Sequence, residues 1–325
     1  MAARRRANSN YSIRAGDSAT CLLIHNSPDV GIHIATLVWY SGYCPVHTWA
    51  GITTSVPKGF HTLRIGIISD VHGNYVALRS VLDHMGSVDA LWCLGDLVGY
   101  GPQPNECIYT VSQFPHLSIP GNHDWGMLGR INMDEFNHDA RVVLEWTRKV
   151  ITAANFEYLE TLPVAVTPEE PSVTMVHASP RDPMWEYLLD LFDAAECFPL
   201  FSTRYLFVGH THVPLIFRDS RGIVKAAIPE VGERMHVNMR MLGEKEDPRA
   251  GGARMIINPG SVGQPRDGDP RASYMVLDLP DEPPSGPWHG ALSFHRVPYP
   301  IEQTQALMRD LKFPPRLIMR LEAGV

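Results

Sequence analysis

The sequence predicts an α/β protein built on two packed sheets, and three observations carry the prediction. Residues 63–69, an amphipathic stretch from Tyr75 to Met85 and residues 90–94 make a strand–helix–strand unit, which requires a parallel pair. Apolar strand-like runs end five times in a residue able to ligate a metal: 63–69, 90–94, 117–119, 173–176 and 205–208. Past His212 the pattern turns to short, alternating strands, as expected of a second sheet lying on the first.

Taken in order, residues 1–61 look unlike the rest. They open with Arg4-Arg5-Arg6 and stay free of acid until Asp17. The apolar runs 21–24 and 32–40 fall far short of a signal peptide's core or a membrane span of about 20 residues. We read 1–61 as an unstructured or misannotated extension and 62–325 as the domain. Asn74 is a suitable cap for the first helix, whose Tyr75, Leu78, Val81, Leu82 and Met85 form one stripe, and Gly86 stops it. A helix at 105–113 leads into strand 117–119.

Residues 134–161 read as an insert of two helices between ligand-bearing strands, placed to roof a site. Phe136, Ala140, Val143, Leu144 and Trp146 mark the first helix and Phe156, Tyr158 and Leu159 the second; these aromatics read as core rather than as a substrate platform. After His177, a loop at 178–183 precedes an expected apolar helix at 184–192. Strands follow at 215–218, 223–227, 235–241, 255–257, 274–279 and 292–297, with a turn-rich loop at 280–287 and closing helices at 303–311 and 316–321.

With 325 residues, 44% of them apolar, the chain can bury a large core. A net charge of −7 argues against a broad nucleic-acid or membrane surface, though not against a small basic pocket. The five cysteines include no C-x-x-C pair, which fits reduced thiols and a cytoplasmic location.

The strand ends carry the chemistry. They are Asp70-x-His72, Gly95-Asp96, Gly121-Asn122-His123-Asp124, His177 and Gly209-His210-Thr211-His212. Singly, each has a dull explanation: Asp after a strand is usually a turn former or a helix cap, and a lone strand-end His is usually a satisfied polar group. Together, in this order, they supply two carboxylates, one carboxamide and four imidazoles besides His123, the hard and borderline donors that suit divalent ions. Ligands of layered sheets collect beyond the carboxyl ends of the strands, so the five ends can converge. Two ions about 3.5–4 Å apart polarise a phosphoryl oxygen, lower the pKa of a shared water toward ~7 and clamp an in-line displacement. No nucleophilic Ser or Cys motif and no phosphate-cradling loop offers a rival chemistry.

These motifs resemble the calcineurin-like metallophosphoesterase superfamily over residues 62–325. The likeness is greatest to its bacterial and archaeal "predicted phosphodiesterase" branch. It runs through Gly95-Asp96-Leu97-Val98-Gly99-Tyr100-Gly101-Pro102, through His177-Ala178-Ser179-Pro180-Arg181-Asp182-Pro183, and through the stretch from Asn258 to Gly268. The resemblance implies a four-layer α/β/β/α sandwich of two mixed sheets. It implies Asp70, His72 and His212 on one ion, Asn122, His177 and His210 on the other, and Asp96 bridging two divalent ions (Mn, Fe, Ni or Zn). It gives His123 the protonation of the leaving oxygen or a grip on phosphate, with Asp124 orienting its ring, and places substrate against Asn122, His123 and Arg266. The implied reaction is hydrolysis of small phosphoesters, diesters ahead of monoesters, by hydroxide shared between the ions. Protein phosphatases of the superfamily resemble G-D-x-V-D-R-G where this chain has Val98-Gly99-Tyr100-Gly101, so protein dephosphorylation is the weaker expectation. A non-catalytic scaffold of the same fold and a nuclease are the alternatives. The filled ligand positions argue against the first, and the acidic balance against the second.

Overall fold

The computed structural model describes residues 12–15, 20–27, 31–38, 62–168, 173–238, 253–280 and 289–325. The chain divides into two units, Met1–Ser55 and Val56–Val325. In the first, β1 (Ser12–Ala15), β2 (Thr20–Ser27) and β3 (Gly31–Val38) form an antiparallel sheet in that order. The rest of 1–61 lies outside the described residues, as do the end of the expected strand 235–241 and the loop from 281 to 287.

In the second unit, β4 (Thr62–Ile68), β5 (Ala90–Cys93) and β6 (His116–Ser118) run parallel, as the strand–helix–strand pattern required. Between them lie α1 (Tyr75–Met85) and α2 (Pro104–Ser112); the Asn74 side chain caps α1 by accepting from the Ala77 N–H. Next come α3 (Asn122–Leu128), α4 (His138–Val150) and α5 (Ala153–Thr161). The second sheet starts with β7 (Ala165–Val166), β8 (Val173–Val176) and, after α6 (Leu191–Cys197), β9 (Tyr205–Phe207). It continues with β10 (Pro214–Ser220) and β11 (Ile223–Ala227). The chain then forms β12 (Arg234–Asn238), β13 (Arg254–Pro259), β14 (Ala272–Pro280) and β15 (His289–Val297), and ends with α7 (Ile301–Asp310) and α8 (Pro315–Ala323).

One six-stranded sheet has the order β12-β15-β14-β4-β5-β6, the other β11-β10-β13-β9-β8-β7. The late strands therefore do not make a sheet of their own: β14 pairs antiparallel with β4, and β13 parallel with β9. The reason lies in β14, where Ala272, Tyr274, Met275, Val276 and Leu277 are all buried, so both of its faces need cover. Ile65, Ile67 and Trp92 of the first sheet pack against Met175, Phe207 and Ile257 of the second. On the outer face of the first sheet, Ile68, Leu91 and Cys93 meet α1 and α2; on that of the second, Val176, Leu206 and Ile256 meet α6. That makes four layers, α/β/β/α. Each fully buried Ile, Leu or Phe in them contributes roughly 1.5–3 kcal/mol.

The expected helix at 184–192 is not formed. Asp190 accepts from the Phe192 and Asp193 N–H groups and starts α6 at Leu191 instead, leaving 184–190 as loop. Arg181 holds this loop, pairing with Glu186 inside it and with Asp193 and Glu196 on α6. Among the described residues no helix is long and apolar enough to cross a membrane.

Candidate metal centre

All five predicted strand ends meet at one edge of the sandwich. Asp70 and His72 follow β4, Asp96 follows β5, Asn122 and His123 open α3 after β6, His177 follows β8, and His210 and His212 follow β9. Each of these side chains is at most 4% exposed. The backbone turns sharply to bring them there. Asp70, His72, Asp96, His210 and His212 all adopt positive φ, between 49° and 64°, where a non-glycine residue is strained by about 1–3 kcal/mol. Neighbouring chain fastens these turns: Ser261 Oγ donates to the Asp70 carbonyl and Asn258 Nδ2 to that of Gly209, while the Val262 and Gly263 N–H groups bond Ser69 and Asp70. Gly209 permits the closest approach, because a Cβ there would lie 2.0 Å from Ser69 Oγ and 2.8 Å from Asp70 Oδ2.

The donors fall into two groups sharing Asp96. Asp70, His72, Asp96 and His212 place their ligand atoms within 4.8 Å of one another, and so do Asp96, His177 and His210. Asp96 Oδ2 sits 3.6 Å from His72 Nε2 and 3.4 Å from His177 Nε2. His72 and His212 bring their Nε2 atoms to 3.0 Å.

The partners of the opposite ring nitrogens fix what these atoms are. His72 Nδ1 faces the Val98 carbonyl at 3.0 Å, His212 Nδ1 that of Gln264 at 2.6 Å, and His177 Nδ1 that of Leu94 at 2.7 Å. A carbonyl only accepts, so Nδ1 carries the proton in each ring and the inward Nε2 of a neutral ring is a bare lone pair. His210 is turned the other way, its Nε2 donating to the Trp185 carbonyl at 3.2 Å. Metal-ligating imidazoles usually carry this backbone support on the opposite nitrogen. Asp70 Oδ1, Asp96 Oδ2, Asn122 Oδ1 and His177 Nε2 are buried with no hydrogen-bond partner. Lone pairs facing one another out of water are unfavourable unless a cation lies among them, so the donor set fits divalent metal.

Electrostatics agree. Burial, with like-charged neighbours, holds His72, His210 and His212 below the usual imidazole range, His210 at about 3. Burial alone would raise Asp70 and Asp96, but the surrounding imidazoles keep both below the usual carboxylate range. His177 differs: burial pulls it down, yet the Asp96 charge outweighs this and lifts it to about 9.

His123 stands beside the donors rather than among them, its ring 4.7 Å from that of His72 and 4.4 Å from that of Tyr100. Its Nδ1 has no partner, and burial pushes the imidazole down to about 4. Asp124 is placed differently from expectation. Its carboxylate accepts from the Gly121, Leu97 and Val98 N–H groups, so it staples the Asp96 turn to the start of α3 and leaves the His123 ring alone. Burial and the nearby Asp96 charge raise it to about 7. Arg266 reaches the same place; its backbone N–H donates to the His212 carbonyl.

A cavity of ≈ 300 Å³ opens over Asp96, Asn122, His123, His210, His212 and Arg266. Its outer wall, Tyr100, Phe136, Trp185 and Tyr187 with Glu135 and Asn137, was not singled out for function by the sequence. Phe136 was read as core, and it is both: 7% exposed, yet 5.3 Å from the His123 ring and 5.0 Å from Trp185. An aromatic inside an apolar run carries no mark of facing a cavity.

The sequence model of the calcineurin-like phosphoesterase superfamily domain matches residues 63–282. Protein MJ0912 of Methanocaldococcus jannaschii is 35% identical over 227 residues, 67% of this chain and 83% of that protein. The crystal structure of a metallophosphoesterase from Sphaerobacter thermophilus is 45% identical; it overlaps 82% of this chain and 100% of its own, with a TM-score of 0.67. The symmetrical bis(5′-nucleosyl)-tetraphosphatase of Proteus mirabilis is 30% identical over 136 residues, 40% of this chain and about half (48%) of that protein.

Proposed function

The chain belongs to the calcineurin-like phosphoesterase superfamily, and on that premise we propose that it is a metal-dependent hydrolase of small phosphoesters, diesters ahead of monoesters. The observation that carries this reading is the set of buried, unpartnered donor atoms around Asp96. Asp70, His72 and His212 would hold one divalent ion (Mn, Fe, Ni or Zn) and Asn122, His177 and His210 a second, with Asp96 common to both. Such ions supply Lewis-acid polarisation of a phosphoryl oxygen and a water acidic enough to ionise near neutral pH.

The chain's own residues do the rest. Neutral His123 offers one ring N–H toward the phosphate, and an arriving anion favours its protonated form, so it acts as donor to the leaving oxygen. Arg266 presents a fork of donors to the phosphoryl oxygens. Asp124 fixes the Asp96 turn, and the aromatic wall keeps water off the reacting centre. The Proteus relative names nucleoside polyphosphates as esters to include. The test is metal analysis of the purified chain beside turnover of aryl mono- and diesters, cyclic nucleotides and dinucleoside polyphosphates with Mn, Fe, Ni, Zn and Mg. Two tightly held ions and ester turnover are expected; a chain with neither refutes the reading.

A further inference from the structure

Beyond the donor cluster, Tyr100 connects the cavity to a second feature. Its ring lies 4.6 Å from that of His72 and 4.4 Å from that of His123 on the cluster side. Away from the cluster, the guanidinium carbons of Arg266 and Arg320 stand 5.7 Å and 6.0 Å from the same ring. Arg320 comes from α8, far along the chain from every ligand motif.

Among the described residues, neither guanidinium has a carboxylate within ion-pairing distance. The acids nearest to Arg266 in sequence are already engaged, Asp267 by Arg296 and Asp269 by Arg271. Arg266 donates only to Gln264 Oε1 at 3.0 Å and the Tyr100 hydroxyl at 3.4 Å, and its buried Nε has no partner. Arg320 donates through Nε to the Val325 carbonyl, and its two terminal nitrogens make no hydrogen bond among the described residues. Burial and the Arg266 charge draw the Arg320 guanidinium down to about 10, as expected of cations crowded together without a counter-ion. Partly buried like charges without an anion are unfavourable, and a ligand anion with several oxygens relieves them.

We propose that Arg266 and Arg320, set on either part of the Tyr100 ring, form a second anion subsite beside the donor cluster. Substrates would then carry another phosphate next to the scissile one, as in pyrophosphate-linked esters. This rests on the phosphoesterase reading and narrows its substrate class. Arg266 serves both phosphates, whereas Arg320 serves the second alone.

The test is calorimetric titration of the full, metal-loaded chain with inorganic orthophosphate and inorganic pyrophosphate, at saturating metal so that chelation affects all variants alike. The wild-type chain is expected to bind pyrophosphate at least about tenfold more tightly than orthophosphate. Arg320→Gln is expected to weaken pyrophosphate about tenfold, the worth of one charge-assisted hydrogen bond, and orthophosphate less than about twofold. Arg320→Lys keeps the charge without the fork and is expected to fall between; it carries the comparison if the Gln variant fails to fold. Equal effects on both anions, or none on pyrophosphate, overturn the subsite while leaving the phosphoesterase reading in place. A wild-type chain that binds neither anion overturns both.

Discussion

His123 and His177 are both buried imidazoles beside Asp96, yet their surroundings give them opposite proton affinities. His123 contributes no donor atom to either ligand group. His123→Ala should therefore keep the metal content of the wild type while turnover falls by about 10²–10⁴-fold, the usual size of a lost proton donor; emission spectroscopy and kcat on one preparation check the pair. His177, lifted to about 9 by Asp96, holds a proton at pH 7.5 in the ion-free chain. Ion binding must expel it, so calorimetry in buffers of different ionisation enthalpy should find about one proton released per chain, and affinity should climb with pH until about 9. The sign for folding is the reverse. The His177–Asp96 contact stabilises the ion-free chain fully below about 6.5 and is lost as pH rises through about 9. The seven donors were legible in the sequence because Asp, Asn and His at successive strand ends are not what turns alone require. Tyr100, Trp185, Tyr187 and Arg320 were not, because ring stacking and the approach of α8 are products of tertiary packing.

At the scale of elements, strand ends and the turns after them position the chemistry. Gly209 shows how little room they leave. Gly209→Ala puts a methyl against Ser69 Oγ and Asp70 Oδ2, and Asp70 must move. The expected penalty is about 1–3 kcal/mol of stability, with a larger proportional loss of metal affinity; a melting curve and a metal titration separate the two. The loop at 178–190 marks the limit of periodicity as a guide. Residues 184–192 are apolar enough for a helix, but Asp190 offers its side chain as a cap and Arg181 ties the segment across to α6. The run becomes a cavity wall, leaving Tyr187 46% exposed beside His210 at a ring distance of 4.1 Å.

For the whole molecule, the two-sheet architecture was legible from strand–helix–strand spacing and from the change of period after His212, but the division of strands between sheets was not. Which neighbour a strand takes depends on how both of its faces are covered, as β14 shows by entering beside β4. Because the second sheet supplies His177, His210 and His212 and the first the remaining donors, the centre exists only when both sheets are assembled.

The left-handed backbone at Asp70, His72, Asp96, His210 and His212 is imposed by the packed scaffold, which absorbs the strain before any ligand arrives. Such a chain is a socket cut in advance, unlike small zinc modules that take shape around their ion. Dialysis against a chelator should accordingly lower the melting temperature by the lost binding energy and leave the far-ultraviolet circular dichroism at 25 °C unchanged. Exchange of one divalent ion for another then becomes a matter of fit to fixed donors, with no refolding in between.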